Sequence, residues 1–466
     1  MCRIIHSINF LNIMKRLLSF LATIAIAIPA FASIDGQWSG ILTIQSAKLK
    51  LNFNFSTDIN GAAKCTLDSP DQNAFGIPCD VVKIVDSSIT VEVSAIKASF
   101  SGTLQADSIS GTFKQGLASL PLTLHRSAAT QKPKERAQTP QPPFPYVEKE
   151  VAITNIAAGL TLAGTLTMPE NAKNIPAVVL ITGSGRQNRD EELFGHRPFA
   201  VIADYLTRQG IAVLRYDDRG TAQSTGNFDK ATTSDFARDA RAVLDFLASV
   251  PGIDKKKIGY IGHSEGGQIA FINAAADSRV AFIVLLAAPA VKGRDLILRQ
   301  NAMIYKAKTG SEIPAEALAQ VTEMLDAIDT GTNSDSLRKE LEKILHLSSI
   351  PESQQAMAKQ QIDTAVSPWY VNFIKYDPES TLKAVKCQIF ALGGTFDTQV
   401  DSSINLSAIK SLCGSKKVMT KEYPGLNHLF QHCTSLSESL SYDKIEETIA
   451  PEVLADIAAW IKSTAK

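Results

Sequence analysis

Residues 262–267 have the sequence Gly-His-Ser-Glu-Gly-Gly, and the fold of this 466-residue chain can be inferred outward from them. An apolar run at 257–261 precedes them and predicts a buried strand, while 268–276 predicts a helix. A strand, a sharp turn and a helix with G-x-S-x-G at the turn are typical of a nucleophile elbow. The flanking glycines let strand and helix approach closely while the serine hydroxyl points outward. We therefore predict that Ser264 is a nucleophile.

The chain around this stretch alternates between apolar strands and helices. A hairpin is predicted at 148–154 and 161–168, further strands at 176–182, 211–216, 280–287, 388–393 and 418–423, and helices at 198–208, 233–249, 402–412 and 451–463. Nearly continuous apolar strands between helices indicate an α/β class with a mostly parallel sheet covered on both faces. In such sheets active groups gather outside the carboxyl ends of the strands.

The alternation is interrupted at about 293–372, which is mostly helical. Helices are predicted at 295–308, 314–329, 334–347 and 353–363. An insertion of this size after a central strand predicts a helical cap over the catalytic end of the sheet. Trp369, Tyr370 and Phe373 can line a substrate pocket there, although we favour apolar packing inside the cap.

Two polar residues follow late strands at the same sheet edge. Asp397 lies in the loop after 388–393, and His428 lies in the loop after 418–423. A serine hydroxyl needs a base to take its proton, and that base needs an orienting group. The chain order serine, acid, histidine is the order found in the α/β-hydrolase architecture. We predict Ser264, Asp397 and His428 as a catalytic triad.

Four other residues compete for these roles less well. His432 is farther from the strand end, and His346 precedes the acid and lies in the cap. His263 adjoins the serine, where packing or support of the elbow is the favoured role. Asp401 follows the predicted acid closely and is an alternative to it, but capping the next helix explains it better.

The oxyanion of an acyl-transfer reaction needs main-chain donors. Glu265 begins the helix after the elbow, so its N–H is one predicted donor. The second is predicted from Ser184 or Gly185, in the loop that ends strand 176–182. The following run 189–192, Arg-Asp-Glu-Glu, is interpreted as a solvated charge run rather than a substrate contact. Arg219 is expected to pair with a neighbouring acid and pin loops near the site.

The first 145 residues divide into three segments. Lys15-Arg16, an apolar run and the A-x-A site at 30–32 predict a signal peptide over 1–32 and export to the periplasm or beyond. Residues 33–126 alternate as short strands and predict an antiparallel barrel or sandwich, and Gly-Gln-Trp at 36–38 resembles the opening of lipocalin-like barrels. Residues 127–145 are proline-rich and predict a linker before a catalytic domain at 146–466.

Composition excludes some partners and leaves the cysteines open. The 47 Lys and Arg balance 47 Asp and Glu, which does not favour nucleic acid or an anionic surface. After signal removal no segment is long enough for a stable membrane span. Cys65 can pair with Cys79, and Cys387 with Cys413, which leaves Cys433 free; five reduced thiols are the alternative. Cysteine–histidine spacing does not favour zinc.

Residues 146–466 resemble secreted bacterial α/β-hydrolases of the esterase and serine-aminopeptidase-like group. The resemblance rests on the stretches 182–185, 215–220, 262–267, 394–400 and 425–428. It implies the α/β-hydrolase fold and the same three residues as nucleophile, acid and base. It is specific to the superfamily and not to a substrate.

The expected function is an exported serine carboxylesterase that forms an acyl-enzyme on small or medium esters and needs no cofactor or metal. A serine peptidase of the same fold is one alternative, in which Glu191 or Glu192 can receive the amino terminus of a peptide. A binding protein with a degenerate site is the other alternative, and the intact triad argues against it.

Overall fold

The computed structural model describes residues 34–44, 47–58, 62–70, 74–105, 107–116, 118–127, 136–349, 351–413 and 417–465. The predicted signal peptide and residues 128–135 of the predicted linker lie outside these ranges. The chain forms two compact units, Met1–Thr130 and Gln131–Lys466. Among the described residues, no helix combines the length and apolar character needed to cross a membrane.

The first unit is an antiparallel sheet. Its described strands are β1 (Gly36–Ile44), β2 (Ala47–Thr57), β3 (Ala63–Ser69), β4 (Ala74–Pro78), β5 (Val81–Val85), β6 (Ser88–Val93), β7 (Ala98–Gln105), β8 (Ser108–Gln115) and β9 (Ala118–Ser127). They pair in the order β4-β3-β2-β1-β9-β8-β7-β6-β5. This confirms the predicted antiparallel β-fold. The sequence pattern did not predict β3, β4 and β5.

The sheet curls so that its two ends approach each other. In the turn between β4 and β5, the N–H of Cys79 donates to the carbonyl of Cys65 in β3, and that of Asp80 donates to Glu92 in β6. The concave side is filled by an apolar core around the fully buried Trp38. Curling therefore gives a single-layer sheet an interior that excludes water.

The cysteines of both units are free thiols where the structure describes them. Cys65 and Cys79 lie side by side, and the hydrogen bond that the Cys65 thiol donates to the sulfur of Cys79 is the main cause that raises the pKa of Cys65. The pairing of these two cysteines stays a prediction.

The second unit is built on a mixed sheet. Its described strands are β10 (Val147–Asn155), β11 (Leu160–Met168), β12 (Ile175–Ile181), β13 (Ala212–Tyr216), β14 (Ile253–His263), β15 (Phe282–Leu286), β16 (Gln388–Gly394) and β17 (Val418–Tyr423). They pair in the order β10-β11-β13-β12-β14-β15-β16-β17. The hairpin β10–β11 is antiparallel and joins β13 antiparallel, while β13 to β17 run parallel to one another.

Helices cover both faces of this sheet. The described helices are α1 (Pro198–Arg208), α2 (Thr233–Leu247), α3 (Glu265–Ala276), α4 (Gly293–Thr309), α5 (Ala315–Thr330), α6 (Ser334–Ile344), α7 (Glu352–Ala365), α8 (Pro368–Lys375), α9 (Glu379–Ala384), α10 (Ser402–Leu412) and α11 (Pro451–Thr464). Alternate residues of each strand point to opposite faces. In β12, Val179 packs in the core that includes α2 and α3, and Val178 packs in the core that includes α1 and α11. The α/β-hydrolase fold predicted from sequence is confirmed.

The predicted cap corresponds to α4 to α8, inserted between β15 and β16. It has a small apolar core of its own, to which Leu325 and Ile328 of α5, Leu341 of α6 and Ile374 of α8 contribute. The sequence pattern did not predict α8, which begins at Pro368 and carries the aromatic residues at 369, 370 and 373. Because the insertion follows the carboxyl end of β15, it lies on the side of the sheet where the loops of the candidate site gather.

Three loops at this edge are used below under fixed names. The β12 loop is residues 182–187, the β16 loop is residues 395–400, and the β17 loop is residues 424–430. Since β12, β14, β16 and β17 are parallel, these loops and the turn after β14 lie at one edge.

Candidate active site

Ser264 lies at the turn between β14 and α3 in a backbone conformation that few non-glycine residues adopt. Its φ is 51° and its ψ is −121°. The turn is tight: a Cβ built on Gly262 would lie 2.1 Å from the carbonyl oxygen of Gly266, and one built on Gly266 would lie 2.1 Å from that of Ile181. Only glycine fits at either position without moving the backbone. The strained, half-buried serine is the geometry predicted for a nucleophile elbow.

His428 and Asp397 meet at the same edge. Nδ1 of His428 lies 2.8 Å from Oδ2 of Asp397, and both residues are buried. The other carboxylate oxygen of Asp397 accepts the main-chain N–H groups of Gln399 and Val400, at 2.8 and 2.9 Å. The acid is thus fixed by its own β16 loop and orients the histidine ring. The structure brings together the acid and base predicted from sequence.

Ser264 adjoins this pair through its neighbour in the chain. Nε2 of His263 lies 3.0 Å from the main-chain oxygen of His428, and the two rings are 4.7 Å apart between centroids. Ser264 directly follows His263. The Ser264 hydroxyl does not hydrogen-bond the His428 ring in this structure; catalytic hydrogen bonds of free enzymes are often long and tighten with substrate.

The competing candidates occupy other positions. Asp401 caps α10, where its side chain accepts the N–H of Ser403 at 3.0 Å. His432 is exposed and its ring nitrogens face Glu447 and Glu452 at 2.9 and 3.1 Å. His346 is exposed beyond the end of α6. Their surroundings explain each of them without a role at the elbow.

The interpretation of residues 189–192 as a solvated charge run is wrong for its first three members. Glu191 is only 4% exposed. Its Oε1 accepts the N–H of Gly183 at 2.6 Å and lies 2.9 Å from Nδ1 of His263. Glu191 therefore joins the β12 loop to His263, the residue before Ser264. Sequence reasoning missed this role.

The neighbouring charges of that run are also paired. Arg189 donates through Nη2 to Asp217 at 2.8 Å and also contacts Glu150, and Asp190 binds Arg215 of β13. An arginine inside an apolar buried strand needs an acid, so Arg215 was the sequence signal that could have revealed the pairing. Arg219 behaves as predicted and donates to both carboxylate oxygens of Asp239.

Glu265, the residue after Ser264, connects the elbow with the cap. Its carboxylate is buried and accepts Trp369 Nε1 at 2.9 and 3.0 Å and Thr233 Oγ1 at 2.7 Å. Trp369 also stacks on Phe373, with ring centroids 5.4 Å apart. The favoured interpretation of these aromatics as packing within the cap is therefore incomplete, because Trp369 also binds the start of α3.

The predicted oxyanion donors lie around the elbow. Glu265 is the first residue of α3, and N–H groups in the first turn of a helix have no acceptor within it. In the β12 loop the N–H of Gly183 is already donated to Glu191, which leaves Ser184 and Gly185 as the predicted partners. A Cβ built on Gly183 would lie 3.3 Å from the Cβ of Ser264, so this loop lies close to the predicted nucleophile. The identity of the second donor stays a prediction.

Buried charges shape the electrostatics of this edge. Burial lowers the pKa of His263, but the Glu191 carboxylate, together with the main-chain oxygen of His428 and the charge of Asp397, raises that pKa above its ordinary value. Burial raises the pKa of Asp218 well above its usual range and also raises the pKa of Glu265. Asp218 accepts Thr182 Oγ1 and the N–H of Gln187, both at 2.9 Å, and so fixes the β12 loop.

The arrangement can perform nucleophilic chemistry with side chains and main-chain donors. Among the residues that the structure describes, there is no group of three or more His, Cys, Asp or Glu side chains placed to hold a metal ion.

The second unit matches a known family. X-Pro dipeptidyl-peptidase (S15 family) matches residues 158–416, which is more than half of the chain and spans the elbow and the acid. The chain belongs to this family. It is thus a hydrolase of an esterase and peptidase group.

Individual relatives of this S15-family chain are distant. It is 24% identical over 319 residues to esterase EstD of Thermotoga maritima, which covers 68% of each chain. It is 33% identical over 150 residues to polyketide transferase claH of Penicillium crustosum, covering 29% of this chain and 43% of that one. A crystal structure of a Pyrococcus furiosus esterase aligns with a TM-score of 0.43 and 16% identity, over 69% of this chain and 94% of that one.

Proposed function

We propose that the chain is a serine carboxylesterase that acts through an acyl-enzyme on small or medium esters. The observation that carries the proposal is the strained Ser264 at the elbow, at the same sheet edge as the buried pair His428 and Asp397. Among the described residues, His428 is the only side-chain partner of Asp397. Family membership supports a serine hydrolase, and the likeness to an esterase supports an ester as its substrate.

In the proposed reaction, Nε2 of His428 takes the proton of the Ser264 hydroxyl as its oxygen attacks the ester carbonyl. Asp397 holds Nδ1 of the ring and stabilises the imidazolium that forms. The N–H of Glu265, with that of Ser184 or Gly185, binds the developing oxyanion. The imidazolium then protonates the leaving alcohol, and a water activated by the same histidine hydrolyses the acyl-enzyme.

A serine peptidase is the second candidate, because the family is described by its X-Pro dipeptidyl-peptidases. Such an enzyme needs an acidic group for the amino terminus of its substrate. Glu191, one of the two residues expected to supply it, is buried against His263 and Gly183. Glu192, the other, accepts from Asn188 and faces Arg197. These existing partners favour the esterase.

The test compares two substrate classes with wild type and Ser264→Ala. We expect turnover of p-nitrophenyl acetate and butyrate, with little turnover of aminoacyl- or X-Pro-p-nitroanilides, and a loss on the order of 10⁶-fold in the variant. Dominant anilide turnover would favour the peptidase. Ester turnover that survives in Ser264→Ala would refute the proposed nucleophile.

We also propose export to the periplasm or beyond, supported by Lys15-Arg16, the apolar run that follows them and the A-x-A site at 30–32. Mass spectrometry of protein from a cell fractionation would test it. We expect a mature chain that begins at Ser33 in the exported fraction, and full-length protein in the cytoplasm would contradict the proposal.

A further inference from the structure

Both ring nitrogens of His263 face acceptors. Nε2 lies 3.0 Å from the main-chain oxygen of His428, and a carbonyl oxygen can only accept, so Nε2 carries a hydrogen. Nδ1 lies 2.9 Å from Oε1 of Glu191, a carboxylate oxygen that also accepts the N–H of Gly183. An ionised carboxylate can only accept, so with Glu191 ionised Nδ1 carries a hydrogen as well. A histidine with hydrogens on both nitrogens is an imidazolium.

The buried His263 ring lies where three segments of the site meet. Through Glu191 it is connected to Gly183 in the β12 loop, through its own backbone to Ser264, and through Nε2 to the β17 loop that carries His428. His428 is thus held at two points, its ring by Asp397 and its main chain by His263. Neither contact uses Nε2 of His428, the nitrogen that we propose takes the proton of Ser264.

We propose that His263 and Glu191 form a positioning pair, in which the imidazolium of His263 binds the main chain of His428 and places that base for Ser264. The inference rests on the proposed function, since it assigns a role within the same site. His263 touches no reacting atom and is a positioning residue, not a catalytic one.

The state of His263 makes this role dependent on pH. The titratable groups that face it are Glu191 on one side, and His428 with Asp397 on the other. Phe199, Leu429 and Phe430, which line the same cavity, are apolar. The pKa of His263 is raised, chiefly by Glu191 acting against burial. Loss of its proton at alkaline pH leaves one ring nitrogen unable to donate. His263 then loses its hydrogen bond either to Glu191 or to the main chain of His428. Activity should then fall on the alkaline side.

The experiment measures kcat and KM for p-nitrophenyl acetate from pH 6 to 9.5, with Ser264→Ala as the blank. Wild type should lose kcat on the alkaline side. Glu191→Gln should move that loss to lower pH by about one unit or more, because an opposite charge within reach stabilises the imidazolium. His263→Gln should lower kcat about 10- to 100-fold with KM nearly unchanged and without the alkaline loss, as expected for a small displacement of a reacting group.

His432→Gln is the matched control, because this exposed histidine also lies between two carboxylates but outside the site. It should keep the wild-type pH profile. Profiles of the His263 and Glu191 variants that coincide with wild type, or effects confined to KM or to thermal stability, would overturn the proposal.

A second measurement remains decisive if either variant fails to fold. NMR spectra of Ser264→Ala labelled with ¹⁵N-histidine should show two protonated ring nitrogens for His263 at pH 7. A neutral tautomer would overturn the proposal. The proposed function fails separately, if Ser264→Ala retains turnover while the imidazolium is present.

Discussion

Two buried histidine–carboxylate pairs lie side by side at the edge of the sheet, and they differ in the partners of the histidine ring nitrogens. His428 faces Asp397 and His263 faces Glu191, at 2.8 and 2.9 Å, with the two rings 4.7 Å apart. His263 has acceptors at both nitrogens. His428 has a partner only at Nδ1 among the described residues. Burial beside a carboxylate therefore does not by itself suit a histidine to act as a general base; a ring nitrogen that is free to accept a proton is also needed.

The two acids differ in what they hold. Besides the histidine, Asp397 accepts two N–H groups from its own β16 loop, those of Gln399 and Val400. Glu191 instead accepts an N–H from a different loop, that of Gly183. The first pair orients one ring, whereas the second connects separate segments. Removing Asp397 should therefore have different consequences from removing Glu191.

The largest expected effect separates the two pairs. In Asp397→Asn, Oδ1 can still accept its two main-chain N–H groups, so the amide nitrogen would face Nδ1 of His428. The ring must then carry its hydrogen on Nε2, where it cannot take the proton of Ser264. We expect kcat for p-nitrophenyl esters to fall about 10⁴-fold with the fold unchanged. A fall in kcat no greater than that of Glu191→Gln would show that the two histidine–carboxylate pairs do not differ in this way.

Asp401→Asn is the matched control for that variant. Asp401 is four residues away and caps α10, and asparagine caps helices as well as aspartate does. Its pairing with Arg299 would weaken, with little change in kcat.

Glu265 is a third buried carboxylate at this edge, and the effect expected from removing its partner is smaller. In Trp369→Phe, Glu265 loses a donor that reaches both of its oxygens and keeps only Thr233. Because a buried acceptor without its partner is costly, we expect the free energy of unfolding in urea to fall by about 1–3 kcal/mol. Tyr370→Phe, next to it in α8, leaves the donors of Glu265 in place and is the control. Equal losses in the two variants would show that packing, not the hydrogen bond, connects the cap to the elbow.

The smallest expected effect concerns stability against pH. A histidine whose pKa is raised in the folded state stabilises the fold fully below its unfolded value, about 6.5, and this contribution is lost as pH rises through the folded value. His263 is such a group. The difference in unfolding free energy between wild type and His263→Gln, measured in urea from pH 6 to 9, should therefore decrease as pH rises. A difference that is constant over this range would contradict a buried imidazolium.

The sequence was sufficient for the fold and for the three residues proposed as a triad, because these rest on local patterns. The elbow needs small residues in a fixed order, and Asp397 and His428 are marked by the strands they follow. Glu191 was missed because its burial depends on His263, 72 residues later in the chain. Strand β3 was missed for a related reason: its polar residues pair across the sheet, as Asp68 does with Asn54.

The most direct test of the central claim, that Ser264 is the activated nucleophile, is labelling with a fluorophosphonate followed by peptide mass spectrometry. We predict one adduct per chain, on the peptide that contains Ser264, with much slower labelling in Asp397→Asn and none in Ser264→Ala. An adduct at another serine, or undiminished labelling of Ser264→Ala, would contradict the account.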